Sequence, residues 1–129
     1  MISGLIHTFL NLLAFSAFMK IALVLGTRPE ITKMSPVVRE LHKRNISHFI
    51  LHTGQHYDYL MDTIFFEQLD LHSAIINLDI GSGSHGAMTG TMMIKIEEVF
   101  LKEQPDVVLV QGDTNTVLAA SLVAVKLHI

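Results

Sequence analysis

The sequence contains no cysteine, so it can form neither disulfide bonds nor metal sites with thiolate ligands. This absence favours a reducing compartment. Charge is also scarce: charged residues make up 16% of the 129 residues, and the formal net charge is −3 at pH 7. Non-specific nucleic-acid binding needs a basic surface, so this weakly acidic balance argues against that class of function. Half of the residues are hydrophobic, which argues against disorder and predicts one folded domain.

Residues 1–18 contain no Asp, Glu, Lys or Arg and are mostly apolar. The stretch is barely long enough to span a bilayer, and it lacks the basic region and cleavage site of a secretory signal. Met19 and Lys20 follow it directly and read like a natural beginning. We therefore expect residues 1–18 to be a non-native start, with a membrane anchor as the alternative, and the domain to occupy residues 19–129.

Short apolar runs alternate with segments that are apolar at helical spacing, which predicts an α/β fold with a parallel sheet. The predicted strands cover residues 20–25, 48–52, 75–80 and 106–110, and the predicted helices cover residues 29–43, 57–69, 87–104 and 117–127. We expect a kink or short break at Pro36 and a helix stop near Asn45. The apolar run of the fourth strand is typical of the middle of a parallel sheet. Four residues of the third helix have core spacing: Met93, Ile96, Val99 and Phe100.

The first predicted strand passes through Gly26-Thr27-Arg28-Pro29-Glu30 into the first helix. Gly26 allows a sharp turn where a side chain would clash, and Pro29 suits the first helical position. The N–H groups at a helix start attract anions, Arg28 can form paired hydrogen bonds with phosphate oxygens, and Lys33 adds a charge one turn further on. The turn therefore predicts an anion site at the carboxyl end of a strand, although a solvated surface turn would look the same.

Two further turns are predicted to lie at the same edge of the sheet. Thr53-Gly54-Gln55-His56 follows the second strand, and Gln111-Gly112-Asp113-Thr114 follows the fourth. Asp113 thus lies at the carboxyl end of a strand and at a helix start. Either catalysis or capping of the helix would explain a carboxylate at that position.

Two patterns suggest a metal or a cofactor. His48, His52 and His56 are four residues apart, but that spacing brings ligands together on a helix, and this segment reads as a strand and a turn. Residues 81–86 match the G-x-G-x-x-G fingerprint of dinucleotide binding. The match follows the third strand instead of the first, and no acidic residue ends a strand about twenty positions later. We therefore predict no metal and no cofactor, with an NAD-dependent oxidoreductase as the alternative from another class.

Three motifs, in order, closely resemble the N-terminal region of the non-hydrolysing UDP-N-acetylglucosamine 2-epimerases. They are Gly26-Thr27-Arg28-Pro29-Glu30 with Lys33, Thr53-Gly54-Gln55-His56-Tyr57, and Gln111-Gly112-Asp113-Thr114. The resemblance extends from Met19 to Ile129. It implies two Rossmann-like domains of the GT-B type, with the active site in the cleft between them. This chain would be the first part of the first domain, lacking the second domain and inactive alone.

The resemblance also implies a function. The family interconverts UDP-GlcNAc and UDP-ManNAc by elimination and re-addition of UDP, as a cytoplasmic homodimer in polysaccharide biosynthesis; a close variant acts on a UDP-diacetamido-uronic acid. By position, Asp113 matches the catalytic carboxylate. The residues implied in binding the UDP-sugar are Gly26, Thr27, Arg28, Glu30, Lys33, Gln55, His56, His85, Gly112 and Thr114. The chain departs from similar sequences at Gly86-Ala87-Met88, where Ala-Glu-Gln is common.

Overall fold

The computed structural model describes residues 19–54, 66–69, 71 and 73–129. Its main elements, in chain order, are β1 (Lys20–Leu25), α1 (Arg28–Lys43), β2 (Ser47–His52), β3 (Ala74–Asn77), α2 (His85–Glu103), β4 (Val107–Leu109) and α3 (Asn115–Lys126). Residues 66–68 are helical, as predicted for residues 57–69. The first part of that predicted helix, residues 57–65, lies outside the described residues.

The strands form one parallel sheet in the order β3-β2-β1-β4. β1 pairs with β2 from Lys20↔Ser47 to Leu25↔His52, and with β4 from Ile21↔Val107 to Leu23↔Leu109. The predicted α/β fold with a parallel sheet is therefore confirmed. β2 and then β3 are added on one side of β1, and the chain then crosses back to place β4 on the other side.

β1 is buried on both faces, which explains its nearly continuous apolar sequence. Ile21, Leu23 and Leu25 pack on one face in a cluster that includes Ile31, Met34 and Val38 of α1. Ala22 and Val24 pack on the other face, in a cluster with residues of both α2 and α3. The members contributed by the two helices are Met92, Ile96, Phe100, Ala119, Ala120, Val123 and Ala124. The sheet therefore has α1 on one side and α2 with α3 on the other.

A kink or a short break was predicted at Pro36, but α1 runs through this residue without a break. Proline has no N–H to donate to the carbonyl four residues earlier, which here is Thr32. The Ser35 hydroxyl donates to the Thr32 carbonyl oxygen instead, at 2.9 Å. A side-chain donor thus replaces the missing backbone donor. Beyond the helix, Asn45 adopts a left-handed conformation with φ of 54°, which fits its predicted role as a stop.

α2 begins two residues earlier than predicted because Ser84 caps it, its hydroxyl accepting from the Ala87 N–H at 3.4 Å. It ends at Glu103, before Gln104 with φ of 49° and Pro105. The predicted core position Met93 needs correction, since Met92 is the fully buried methionine and Met93 is only partly buried. Ile96 and Phe100 are buried as predicted, whereas Val99 packs at the margin of the same cluster.

The third and fourth strands are shorter than predicted. β3 ends at Asn77 because Asp79 has φ of 48°, which an extended strand cannot contain. Beyond β3 the chain still runs beside the segment that follows β2, since the Ile80 N–H donates to the Thr53 carbonyl at 3.0 Å. In the described sheet β4 pairs with β1 alone and lies at an edge. The prediction that this strand lies in the middle of the sheet is therefore wrong for the four described strands. Within the described ranges, no helix is long and apolar enough to cross a membrane.

Candidate functional site

The carboxyl ends of β1 and β4 lie side by side, and the chain leaves them toward opposite faces of the sheet. α1 follows β1 on one face, whereas α3 follows β4 on the other. In open α/β sheets this divergence produces a crevice where ligands bind. The first and third motifs of the sequence therefore flank one crevice.

Glu30 connects the two turns that flank this crevice. Its side chain lies in the first turn of α1 and is 3% exposed. One carboxylate oxygen, Oε2, accepts from the N–H of Gly26 at 2.6 Å and of Thr27 at 3.0 Å. The other, Oε1, accepts from the Thr114 hydroxyl at 2.7 Å. A single buried carboxylate thus holds the turn after β1 against the turn after β4, and its predicted contact with substrate stays a prediction.

Gly26 is required by close packing beneath the same turn. A Cβ atom built there would lie 2.2 Å from Thr116 Oγ1 and 2.6 Å from Thr53 Oγ1. Those two buried hydroxyls hydrogen-bond to each other at 2.9 Å, which links the turn after β2 to the start of α3. The predicted clash at Gly26 is therefore confirmed, and the atoms that a side chain would meet belong to two threonines for which no such role was predicted.

Arg28 and Lys33 are exposed on α1, Arg28 at its first residue. The expectation that backbone N–H groups of this turn attract an anion needs revision, because Glu30 already occupies those of Gly26 and Thr27. Pro29 has no N–H to offer. Two backbone donors of this turn are therefore already engaged, and the exposed Arg28 and Lys33 side chains supply its positive charge.

Asp113 is exposed in the turn after β4 and does not cap α3. Thr114 is the capping residue, and its hydroxyl accepts from the Val117 N–H at 3.5 Å. Gly112 has φ of 105°, a conformation that favours glycine, and a Cβ there would lie 3.6 Å from Glu30 Oε1. The capping explanation for Asp113 is therefore wrong, and its carboxylate projects from a turn held by Gly112 and Thr114.

His85 is brought to the start of α3, although it follows a different strand. The Asn115 side-chain amide and His85 Nδ1 are 3.0 Å apart. An amide nitrogen can only donate, so Nδ1 accepts, and the neutral imidazole carries its proton on Nε2. Asn115 was missed as a site residue, and its position in the first turn of α3, directly after Thr114, was the available signal.

The turn after β2 is described only at its beginning. Gly54 has φ of 64°, and a Cβ atom there would lie 2.8 Å from Asn77 Oδ1, so glycine is needed. Gln55 and His56 lie outside the described residues, and their predicted role in binding stays a prediction.

Two of the three histidines that are spaced four residues apart have packing or hydrogen-bonding partners in the structure. Both ring nitrogens of His48 are engaged, Nδ1 with the Ile46 carbonyl at 2.6 Å and Nε2 with Ser73 Oγ at 2.7 Å. His52 is 2% exposed and packs edge-to-face on Phe66, with ring centroids 5.7 Å apart. Across the described part of the chain, no three His, Asp or Glu side chains are grouped so as to hold a metal ion.

The G-x-G-x-x-G match does not form a dinucleotide-binding turn. Its residues follow β3, at the edge of the sheet, whereas the fingerprint follows a strand beside the crevice. The third glycine of the fingerprint serves close packing of helix on strand, yet a Cβ at Gly86 would have no atom within 4 Å. Gly81, with φ of 72°, also meets no neighbour within that distance and serves loop conformation, whereas Gly86 lies in the first turn of α2.

Comparisons with known proteins agree with this geometry. A family model described as UDP-N-acetylglucosamine 2-epimerase matches residues 39–129. The chain is similar to the UDP-N-acetylglucosamine 2-epimerase of Methanocaldococcus jannaschii, at 62% identity over 86% of this chain and 30% of that protein. It is also similar to the UDP-2,3-diacetamido-2,3-dideoxy-D-glucuronate 2-epimerase of Pseudomonas aeruginosa, at 49% identity over 86% of this chain and 32% of that protein.

Solved structures give the same result at the level of the fold. The crystal structure of the Methanocaldococcus jannaschii UDP-GlcNAc 2-epimerase in complex with UDP-GlcNAc and UDP matches with a TM-score of 0.80. The match covers 86% of this chain and 31% of that chain, at 62% sequence identity. The chain therefore spans about a third of the length of the relatives that it matches.

Proposed function

The chain belongs to the UDP-N-acetylglucosamine 2-epimerase family, and from that membership we propose that it forms one wall of the active site of a non-hydrolysing UDP-GlcNAc 2-epimerase. The complete enzyme would interconvert UDP-GlcNAc and UDP-ManNAc. The chain spans 30% of the Methanocaldococcus jannaschii relative, so the activity proposed is that of a longer polypeptide.

The proposed reaction is an elimination followed by an addition. A base removes the C2 proton while the C1–O bond to the diphosphate breaks, and the bond's electron pair leaves with UDP. The sugar is left with a C1–C2 double bond, as 2-acetamidoglucal. Addition of UDP to C1 and of a proton to the opposite face of C2 gives the epimer without an oxidant or a reductant. Because no carbonyl adjoins C2, stabilising the departing diphosphate lowers the barrier.

The residues of the crevice fit these requirements. Asp113 is the proposed acid–base group, because its exposed carboxylate is not used in capping α3. Arg28 and Lys33 are the proposed cations for the diphosphate. The observation that carries the proposal is the Glu30 carboxylate, which hydrogen-bonds both to the turn beside Arg28 and to Thr114 beside Asp113. The cationic turn and the acidic turn are therefore close enough to act on one substrate.

The remaining predicted residues have supporting roles in this proposal. His85 would donate from Nε2 to a substrate oxygen, because Asn115 occupies Nδ1. Gly26, Thr27, Gly112 and Thr114 would shape the two turns, and Gln55 and His56 would line the adjoining turn. We further propose a cytoplasmic homodimer acting in polysaccharide biosynthesis; the lack of cysteine supports a reducing compartment.

Solvent exchange at C2 tests the proposed reaction directly. A complete enzyme that carries this chain should incorporate deuterium from D₂O at C2 of UDP-GlcNAc and form UDP-ManNAc. Epimerisation without deuterium at C2 would contradict removal of the C2 proton. Loss of the sugar as free ManNAc would instead indicate a hydrolysing enzyme.

A UDP-diacetamido-uronic acid is the second candidate substrate, favoured by the 49% identity to the Pseudomonas aeruginosa relative. Parallel assays with the two sugar nucleotides separate these candidates, since the true substrate should have the higher kcat/KM. An NAD-dependent oxidoreductase is less supported, because Gly86 does not pack as the dinucleotide fingerprint requires. Titration with NADH, followed by its fluorescence, should show no saturable binding.

A further inference from the structure

We infer that Glu30 is a positioning residue, which sets the two walls of the crevice relative to each other and withholds two backbone donors from the substrate's diphosphate. This assigns Glu30 a role different from the substrate contact that the sequence predicts. The bracing contacts stand on the structure alone, whereas the effect on turnover rests on the proposed function.

The bracing role follows from the elements that Glu30 joins. Thr114 is 84 residues away in sequence and leads into a helix on the opposite face of the sheet. The hydrogen bonds of 2.6, 3.0 and 2.7 Å that Glu30 accepts therefore span the crevice floor. Hydrogen bonds to a charged group are stronger than neutral ones, and the carboxylate that accepts them is itself only 3% exposed, which limits its access to water. Movement of one turn is thereby coupled to movement of the other.

Burial also leaves Glu30 little capacity for a substrate. A carboxylate has about four lone-pair positions, and donors within the protein occupy three of them. The side chain is 3% exposed, so a sugar hydroxyl would have little access to the fourth. Its charge would repel a diphosphate at the same turn. Arg28 and Lys33, which are exposed, are therefore the groups that meet the anion.

NMR spectroscopy of the 129-residue chain tests the brace without any assay of function. Glu30→Ala should increase amide exchange at Gly26 and Thr27 at least tenfold and shift the amide signals of Gly112 and Asp113. Shifts confined to the turn after β1, with the signals of the turn after β4 unchanged, would refute the proposal that Glu30 couples the two turns.

Variants at Thr114 keep the test valid if Glu30→Ala does not fold. Thr114→Val removes the donor to Glu30 and should shift the Gly26 and Thr27 amide signals from the far side of the crevice. Thr114→Ser keeps the hydroxyl and is the matched control, with signals close to those of the wild type. Unchanged Gly26 and Thr27 amide signals in Thr114→Val would refute the coupling between the two turns.

Titration with inorganic pyrophosphate separates the brace from a ligand role. Wild-type protein should show shifts at Arg28 and Lys33, with the Gly26 and Thr27 amides unmoved. Glu30→Gln removes the charge but keeps the shape, since its amide can donate to the Thr114 hydroxyl. Because the repelling negative charge is gone while the two amides stay occupied, pyrophosphate should then bind about two- to tenfold more tightly, the range expected for removing one unit charge near an anion at a protein surface. Weaker binding by Glu30→Gln would show that Glu30 serves the ligand directly.

Turnover by a complete enzyme that carries this chain gives the functional readout. Glu30→Ala should lower kcat for UDP-GlcNAc at least tenfold while KM changes less than threefold, and Glu30→Gln should recover part of kcat. A rise in KM with unchanged kcat would overturn the positioning role. A wild-type enzyme inactive on every UDP-sugar would refute the proposed function but leave the NMR result standing.

Discussion

Asp113 has an exposed carboxylate next to the first turn of α3. A carboxylate at a helix start is commonly a cap, yet Thr114 caps α3. Asp113→Asn should therefore leave the melting temperature nearly unchanged in a complete enzyme. The amide cannot take a proton, so kcat should fall by roughly a hundredfold or more.

Two measurements decide the role of Asp113: thermal unfolding and deuterium entry at C2 of UDP-GlcNAc. Thr114→Ala is the contrasting variant, since it removes both the cap, worth about 1 kcal/mol, and the hydroxyl that donates to Glu30, and it should lower the melting temperature. Normal exchange by Asp113→Asn would remove Asp113 from the chemistry.

Arg28 is expected to bind the diphosphate through its guanidinium group. Arg28→Ala should weaken binding of UDP-GlcNAc by about 1.5–3 kcal/mol, the range for a hydrogen bond to a charged group. Arg28→Lys should restore only part of the affinity, because lysine lacks the planar fork. Calorimetry measures both. Arg39→Ala, on the same helix, is the control and should leave affinity unchanged; equal effects of Arg28→Ala and Arg39→Ala would indicate a general charge effect.

At the scale of elements, Ser35 and Pro36 explain how α1 contains a proline. The Ser35 hydroxyl donates to the Thr32 carbonyl that Pro36 cannot reach. Ser35→Ala should lower stability by about 0.5–1.5 kcal/mol, the net contribution of a typical hydrogen bond.

A double-mutant cycle isolates this compensation. Pro36→Ala restores the backbone donor, so Ser35→Ala should cost clearly less in that background. Urea denaturation of the four proteins gives the coupling free energy. Equal costs in the two backgrounds would show that the Ser35 hydroxyl does not replace the missing donor.

The amino ends of the strands carry an ion pair far from the crevice. Lys20 Nζ lies 2.7 Å from Glu103 Oε2, and its hydrogen bond lowers the pKa of Glu103 despite the opposing effect of burial. A lowered folded-state pKa stabilises the protein above the ordinary value of 4.5, and this contribution is lost as pH falls through the folded value. Glu103→Gln should therefore lower the melting temperature at pH 7, and the difference should shrink below pH 4.5.

Glu97 is the matched control for this pH dependence, because it is an exposed glutamate of the same helix. Glu97→Gln should change the melting temperature little at either pH. A Glu103→Gln effect that persists undiminished at low pH would mean that packing, and not charge, explains it.

At the scale of the whole molecule, the proposed site is a crevice at one edge of the sheet. The crevice lies at the carboxyl ends of β1 and β4, and the residues assigned to it belong to the turns and helix starts at that edge. The 129-residue chain should not catalyse deuterium exchange at C2, because water is not excluded and the diphosphate meets few partners. Exchange detected by NMR with the purified chain would contradict this expectation. The domain boundary at Met19 stays a prediction, since residues 1–18 lie outside the described residues.

The sequence by itself determined the α/β class and the location of the turns. Apolar periodicity and glycine turns are local signals, and they predicted β1, α1, β2, α2 and α3 with small errors at the ends. It also determined the family, because the ordered motifs from Gly26 to Thr114 depend only on residue types. Predicted boundaries were wrong where one residue departed from the local pattern: the Ser84 hydroxyl caps α2 early, and Asp79 has a positive φ shortly after β3.

Only the tertiary structure decided which turns share a crevice and what each polar residue does there. Strand order is a long-range property, and it placed β4 beside β1 and the G-x-G-x-x-G match at the edge of the sheet. The role of Glu30 depends on Thr114, 84 residues away, and that of Asp113 on its neighbour being the cap. Sequence patterns report local conformation and burial, whereas hydrogen-bond partners across a sheet exist only after the strands have paired.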